Sequence, residues 1–113
     1  MLVMGREVNG VVILEPKDGK LGRSGDDLAA AVQTMLDEGE KRILIDLAIM
    51  TSVDVTSLGE IVMSHVKIGR ACAQMRLVNA PHVLILELRK LNLEDAIPNF
   101  DDEAEAIASF RTS

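Results

Sequence analysis

The chain opens with two runs of β-prone residues separated by a tight-turn signal. The runs are Leu2 to Val8 and Val11 to Glu15, and Asn9-Gly10 lies between them. Asn-Gly is the strongest short-range hairpin signal because both residues accept the positive φ that a type I′ turn requires. The next segment, Pro16 to Gly25, is rich in glycine and charge, which is typical of a loop. The pattern therefore predicts an N-terminal β-hairpin followed by a loop.

Apolar residues then alternate between helical spacing and short continuous runs. A first helix is predicted from Asp26 or Asp27 to about Glu38, and Gly39 marks its end. The run Arg42 to Leu47 carries Ile-Leu-Ile in succession, as in a strand that is covered on both faces. This run is therefore predicted to be the central parallel strand of a sheet.

The same alternation continues to the end of the sequence. Pro81 suits the first turn of a helix, in which Leu84, Leu88 and Leu91 are predicted to face inward. The remaining predicted elements are a helix that carries Leu58, Ile61, Val62, His65 and Ile68 and ends near Arg70 to Ala73, a strand at Gln74 to Val78, the helix at His82 to Leu91, an edge strand at Ile97 to Phe100, and a last helix capped by Asp101 or Asp102.

This order of elements, ββαβαβα(β)α, predicts the fold class. Parallel strands joined by helices require right-handed crossovers, and the helices must pack on the sheet to bury their apolar faces. Residues 1–113 are therefore predicted to form one α/β domain. It should contain a mixed, mostly parallel sheet with an N-terminal hairpin and about four helices.

Composition narrows the classes of partner and chemistry. The formal charge of −6 would repel a phosphate backbone, and Phe100 and Phe110 are the only aromatic residues, so nucleic acid is not expected as a partner. Cys72 is the only cysteine, which excludes an intramolecular disulfide, and it is expected to be a core residue. His65 and His82 lack the spacing of metal ligands, and no metal or cofactor is expected.

The sequence also carries no membrane signal. No apolar run approaches the roughly 18 to 20 residues that a spanning helix needs. Arg6 and Glu7 interrupt the apolar core that an N-terminal signal peptide would require. We therefore expect a soluble, cytoplasmic protein without membrane insertion.

The candidate functional residues lie in the connection between the predicted central strand and the second helix. Polar side chains cluster there, at Thr51, Ser52, Asp54, Thr56 and Ser57. One interpretation is helix capping, by Asp54 as the N-cap residue or by a capping box of Ser57 with Glu60. The other is a regulatory hydroxyl at a helix start, where the fold would tolerate a phosphoryl group and the charge of the surface would change. The two roles are compatible.

The segment from Asp46 to Gly59 resembles the corresponding segment of STAS domains, the family of bacterial anti-sigma factor antagonists and of the cytoplasmic domains of sulphate transporters. The family pattern is an apolar strand ending in Asp-Leu and, after a short apolar stretch, Asp-Ser-Ser-Gly-Leu-Gly; here the strand is RILIDL and the second part is DVTSLG. Val55 and Ser57 depart from the pattern. The resemblance extends over nearly the whole chain, including the opening hairpin, the RLVNAP strand end and the acidic last helix.

The resemblance implies an anti-sigma factor antagonist, an interaction module without catalysis of its own. By position, Thr56 would be phosphorylated by a partner anti-sigma factor that is also a serine/threonine kinase. The residues expected to contact the partner, which would be that kinase or a STAS-containing scaffold protein, are Asp54, Val55, Ser57, Leu58, Gly59 and Met63. Packing of Val55, Met63 and Val66 on a neighbouring helix is the alternative for those three side chains.

Other interpretations of the whole protein stay open. The chain could be a subunit of a transporter or of a stress-signalling assembly that is not phosphorylated, in which the turn is only a contact surface; Val55 and Ser57 favour this alternative. A homodimer is also compatible with the sequence. A small enzyme is the least favoured interpretation, because no nucleophile, base and orienting group recur at a recognisable spacing.

Overall fold

The N-terminal hairpin has the predicted turn. In the computed structural model, which describes residues 3–17 and 27–110, strands β1 (Val3–Val8) and β2 (Val11–Pro16) pair antiparallel with Val8 opposite Val11. Asn9 and Gly10 join them with φ of 51° and 81°, the positive values that a type I′ turn needs. The hairpin prediction is confirmed, while most of the predicted loop up to Gly25 lies outside the described residues.

The described residues form a five-stranded sheet in which the strands follow one another in chain order. Strand β3 (Arg42–Asp46) lies in the middle and pairs parallel with β2 on one side and with β4 (Gln74–Val78) on the other. Strand β5 (Asn99–Phe100) pairs parallel with β4 at the edge. The mixed, mostly parallel sheet with a central third strand is therefore confirmed.

Helices cover both faces of this sheet. The described helices are α1 (Asp27–Asp37), α2 (Val55–Arg70), α3 (His82–Lys90) and α4 (Glu103–Ser109). Ile43 and Ile45 of β3 lie in the cluster that α1, α2 and α3 close, whereas Leu44 lies in the cluster that α4 closes. All three side chains are 0% exposed, which explains why β3 has an unbroken apolar run rather than an alternating one.

Helix α4 is held on its face by a buried aromatic ring. Phe110 directly follows α4 and is 0% exposed. The Arg76 guanidinium of β4 lies 4.7 Å from the centroid of that ring, and its Nε donates to Ser109 Oγ at 3.1 Å. Burial lowers the pKa of this guanidinium from its ordinary value. Arg6 and Glu103 form an ion pair that joins the hairpin to α4.

Two predictions for individual side chains are wrong, and both lie just after a helix. Leu91 follows the last residue of α3 and is 48% exposed, because Asn92 turns the chain with a φ of 59° and Leu93 packs on the core instead. Cys72 is exposed rather than buried, because it follows α2 with a φ of 56° and directs the chain back to β4. The predicted edge strand is shorter than expected, since the Ile97 amide donates to the Leu93 carbonyl within a turn.

Candidate functional site

The predicted site begins at the carboxyl end of the central strand. Asp46, the last residue of β3, is 7% exposed, and its Oδ1 accepts from the Ala48 amide at 3.0 Å. Leu47 and Met50 are buried in the core and anchor the connection to α2. The connection therefore emerges at the carboxyl edge of the parallel strands, where α/β folds characteristically place their functional residues.

Asp54 and Ser57 form a reciprocal capping box at the start of α2. Asp54 Oδ1 accepts from the Ser57 amide at 2.8 Å, and Ser57 Oγ accepts from the Asp54 amide at 2.8 Å. The Ser57 hydroxyl can donate its own proton to Asp54 Oδ1, 2.9 Å away. The capping interpretation is confirmed for Asp54. The box does not include Glu60, because Ser57 occupies the third helical position and takes the role expected of Glu60.

Thr56 is exposed at the second position of α2. Its hydroxyl makes no hydrogen bond within residues 3–17 and 27–110. The first amides of an α-helix have no intrahelical acceptor, and the macrodipole makes this end electropositive. The hydroxyl is therefore accessible to an enzyme, at a place where the helix tolerates added negative charge.

The other residues expected at a partner interface divide into an exposed and a packed group. Val55 is 88% exposed and Met63 is 48% exposed, so neither is covered by a neighbouring helix of the described chain. Gly59 is also exposed. Ser57 is only 1% exposed, and Leu58 is half-buried against the core. The capping box holds the Ser57 side chain inside the turn, and its contact with a partner stays a prediction.

Glu60 has a role that local sequence patterns did not indicate. Its Oε1 accepts from the Ala29 amide, in the first turn of α1, at 3.0 Å. The two residues are 31 positions apart. No spacing rule links them, because the contact depends on how α1 and α2 pack together.

The histidines and the acidic residues do not form a metal site in the part of the chain that the structure describes. His65 is half-buried on α2, and His82 is exposed at the start of α3. Among residues 3–17 and 27–110, no group of three or more His, Cys, Asp or Glu side chains could hold a metal ion. The same residues include no helix with the length and apolar character needed to cross a membrane.

Comparison with known families agrees with this fold. The model of the STAS domain family matches residues 5–106, and the chain belongs to that family. No match was found among curated proteins.

The solved structures that resemble this chain include anti-sigma factor antagonists. The crystal structure of TM1081 from Thermotoga maritima, a proposed anti-sigma factor antagonist, has a TM-score of 0.79 and 25% identity, covering 96% of this chain and 94% of that one. The NMR structure of TM1081 gives a TM-score of 0.73 with 25% identity over 96% and 88% of the two chains. The unphosphorylated anti-sigma factor antagonist SpoIIAA, 18% identical with a TM-score of 0.70 over 96% and 97%, shares the fold.

Proposed function

We propose that this protein is an anti-sigma factor antagonist whose binding to a partner anti-sigma kinase is switched by phosphorylation of Thr56. The observation that carries the proposal is the exposed, unbonded hydroxyl of Thr56 at the start of α2, in the position that the family motif assigns to the phosphorylated residue. The similarity to TM1081 supports the same class of function. The protein acts as a kinase substrate in the cytoplasm and has no catalytic role of its own.

The covalent step is a simple phosphoryl transfer. The partner kinase transfers the γ-phosphoryl group of ATP to Thr56 Oγ1. A new P–O bond forms, the bond between the γ-phosphorus and the bridging oxygen breaks to leave ADP, and the threonine hydroxyl proton is released to a base of the kinase. The chain itself supplies only the acceptor oxygen.

The switch is electrostatic. The first turn of α2 contains no acidic residue, and only the N-cap Asp54 carries charge there. Phosphothreonine adds about −1.5 to −2 charges. The helix terminus compensates about 0.3 to 1 kcal/mol, whereas a like-charge contact across an interface costs several kcal/mol. Repulsion and desolvation should therefore outweigh the favourable macrodipole wherever the partner covers this turn.

The exposed valine beside the phosphosite strengthens this argument. Val55 is 88% exposed, so a partner that buries it must also remove water from the neighbouring Thr56 side chain. The unmodified hydroxyl can be covered at small cost. A phosphate in the same place would lose its hydration, which is far more costly for an ionised group than for a neutral one.

The test combines site mapping with binding. The purified protein is incubated with its candidate anti-sigma kinase and ATP, and the modified residue is located by mass spectrometry. We expect phosphate on Thr56 alone. Thr56→Ala should accept no phosphate and should bind the partner of the unphosphorylated protein with unchanged affinity. Thr56→Asp should weaken this binding about tenfold, equivalent to about 1.4 kcal/mol. Isothermal titration calorimetry measures both affinities.

Thr51 provides the matched control, because it is also an exposed threonine in the connection that leads to α2. Thr51→Ala should leave both phosphorylation and affinity unchanged. Phosphate on Thr51, or wild-type affinity in Thr56→Asp, would contradict the proposed switch.

A constitutive contact subunit is the second candidate function. The specific observation in its favour concerns the two departures from the family pattern. Val55 is an exposed apolar residue where the pattern has Ser. Ser57 stands where the pattern has Gly, and its hydroxyl is bound in the cap. The turn then offers fewer free hydroxyls and more apolar contact area. Stable binding to a transporter or scaffold partner, with no phosphorylation by any anti-sigma kinase, is the result that this candidate predicts.

A further inference from the structure

A carboxylate of α2 caps a neighbouring helix. Glu60 Oε1 accepts from the Ala29 amide at 3.0 Å, two residues after α1 begins. First-turn amides of a helix lack intrahelical acceptors, and a carboxylate is favoured at this end by the macrodipole. The packing beside this contact is tight, since Leu28 is 0% and Ala29 2% exposed. Glu60 therefore fastens the amino terminus of α1 to the second turn of α2.

Glu60 follows the proposed phosphosite by one helical turn. Thr56 and Glu60 are four residues apart in α2, and side chains at this spacing are neighbours on the helix surface, about 5 to 6 Å apart at Cβ. Residues 55–58 carry no basic side chain that could neutralise a charge between them. A negative group on residue 56 would therefore act directly on the Glu60 carboxylate.

We propose that Glu60 transmits the charge on residue 56 to α1: phosphorylation of Thr56 repels the Glu60 carboxylate from the Ala29 amide and uncaps the first turn of α1. The proposal rests on the phosphorylation of Thr56 proposed above. It goes beyond that proposal because the switch then alters a second helix. Phosphorylation would reshape the protein surface in addition to repelling the partner at the modified residue.

Amide hydrogen exchange of Ala29, measured by NMR, reads the cap directly. We expect Thr56→Asp to accelerate this exchange about twofold at low salt, as is typical of one like-charge pair at this spacing, and less at high salt. Phosphothreonine carries more charge and should accelerate it several-fold. In Glu60→Gln, which keeps an acceptor oxygen without the charge, Thr56→Asp should have no further effect on Ala29.

Val55→Asp is the matched control. It places the same charge in the same turn of α2, but five residues before Glu60, a spacing at which side chains are not neighbours. Ala29 exchange in Val55→Asp should therefore equal that of the wild type. An equal acceleration in Val55→Asp and Thr56→Asp would overturn the relay, because it would reflect only a general effect on the start of α2.

The outcomes separate the relay from the proposed function. Partner release on phosphorylation with unchanged Ala29 exchange would overturn the relay and leave the Thr56 switch standing. Failure of the kinase to modify Thr56 would overturn the proposed function, while the variants would still measure the coupling. Retention of the Thr56→Asp effect in the Glu60→Gln background would also overturn the relay, since the charge would then act through another group.

Discussion

The capping box makes a sharp prediction for Ser57→Ala. This substitution removes the oxygen that accepts from the Asp54 amide at 2.8 Å and so breaks that hydrogen bond. Removing one partner of this part-buried hydrogen bond costs about 2 kcal/mol, while the Asp54 carboxylate still caps the amide of residue 57. The better helix propensity of alanine returns about 0.5 kcal/mol. We therefore expect a net loss of about 1.5 kcal/mol in the free energy of unfolding.

Ser64→Ala is a control of the same residue type in the same helix. Ser64 is 0% exposed, and its Oγ donates to the Glu60 carbonyl at 2.8 Å. That carbonyl already accepts a backbone bond within the helix, so removal of the hydroxyl leaves no buried group without a partner. Ser64→Ala should therefore change the free energy of unfolding by less than about 0.5 kcal/mol. Burial is alike in the two serines, and only the capping role differs.

Urea unfolding followed by far-UV circular dichroism measures both effects. Fluorescence is unsuitable because the chain contains neither Trp nor Tyr. With an m-value of about 1.5 kcal/mol/M, Ser57→Ala should lower the midpoint by about 1 M at unchanged m, and Ser64→Ala should scarcely move it. Equal midpoints for the two variants would refute the reasoning, because they would show that the box stabilises α2 no more than an ordinary side-chain bond.

Two further predictions concern the surface. Cys72 has a φ of 56°, a value that favours glycine. Cys72→Gly should therefore raise the free energy of unfolding by about 0.5 to 1 kcal/mol in the same urea assay. A decrease in the free energy of unfolding would contradict the strain argument. Hydrogen bonding to Arg89 lowers the pKa of Glu94 below its ordinary value of 4.5. The stabilisation by this pair is therefore present above pH 4.5 and is lost as the pH falls through the lower pKa of the folded state. The melting temperatures of wild type and Glu94→Gln should therefore converge on acidification, and a gap that persists would contradict this assignment.

The sequence by itself determined the elements and their order. Asn9-Gly10 specified the hairpin turn, because few other dipeptides accept positive φ at both positions. The unbroken apolar run of β3 specified a strand covered on both faces, and Pro81 and Gly39 marked a helix start and a helix end. These signals are local, since each depends on the backbone preferences or on the periodicity of a short segment.

Chain reversals after helices were less predictable. Helical spacing placed Leu91 inward and composition placed Cys72 in the core, yet both residues are exposed where the chain leaves a helix. At such positions one residue takes a positive φ and the chain turns away, so the helical period no longer tells which side chains face the core. Leu93 takes the core position instead, two residues beyond the expected one.

Only the tertiary structure decided which hydroxyl group of the turn is buried and which is exposed to solvent. The sequence placed Asp54, Thr56 and Ser57 together at a helix start but gave no reason to bury one hydroxyl and expose the other. The register of α2 on the sheet turns Ser57 inward and leaves Thr56 outside. The packing of α1 on α2 likewise gives Glu60 an acceptor role at Ala29. Contacts of this kind depend on the relative placement of whole elements, which local propensity does not encode.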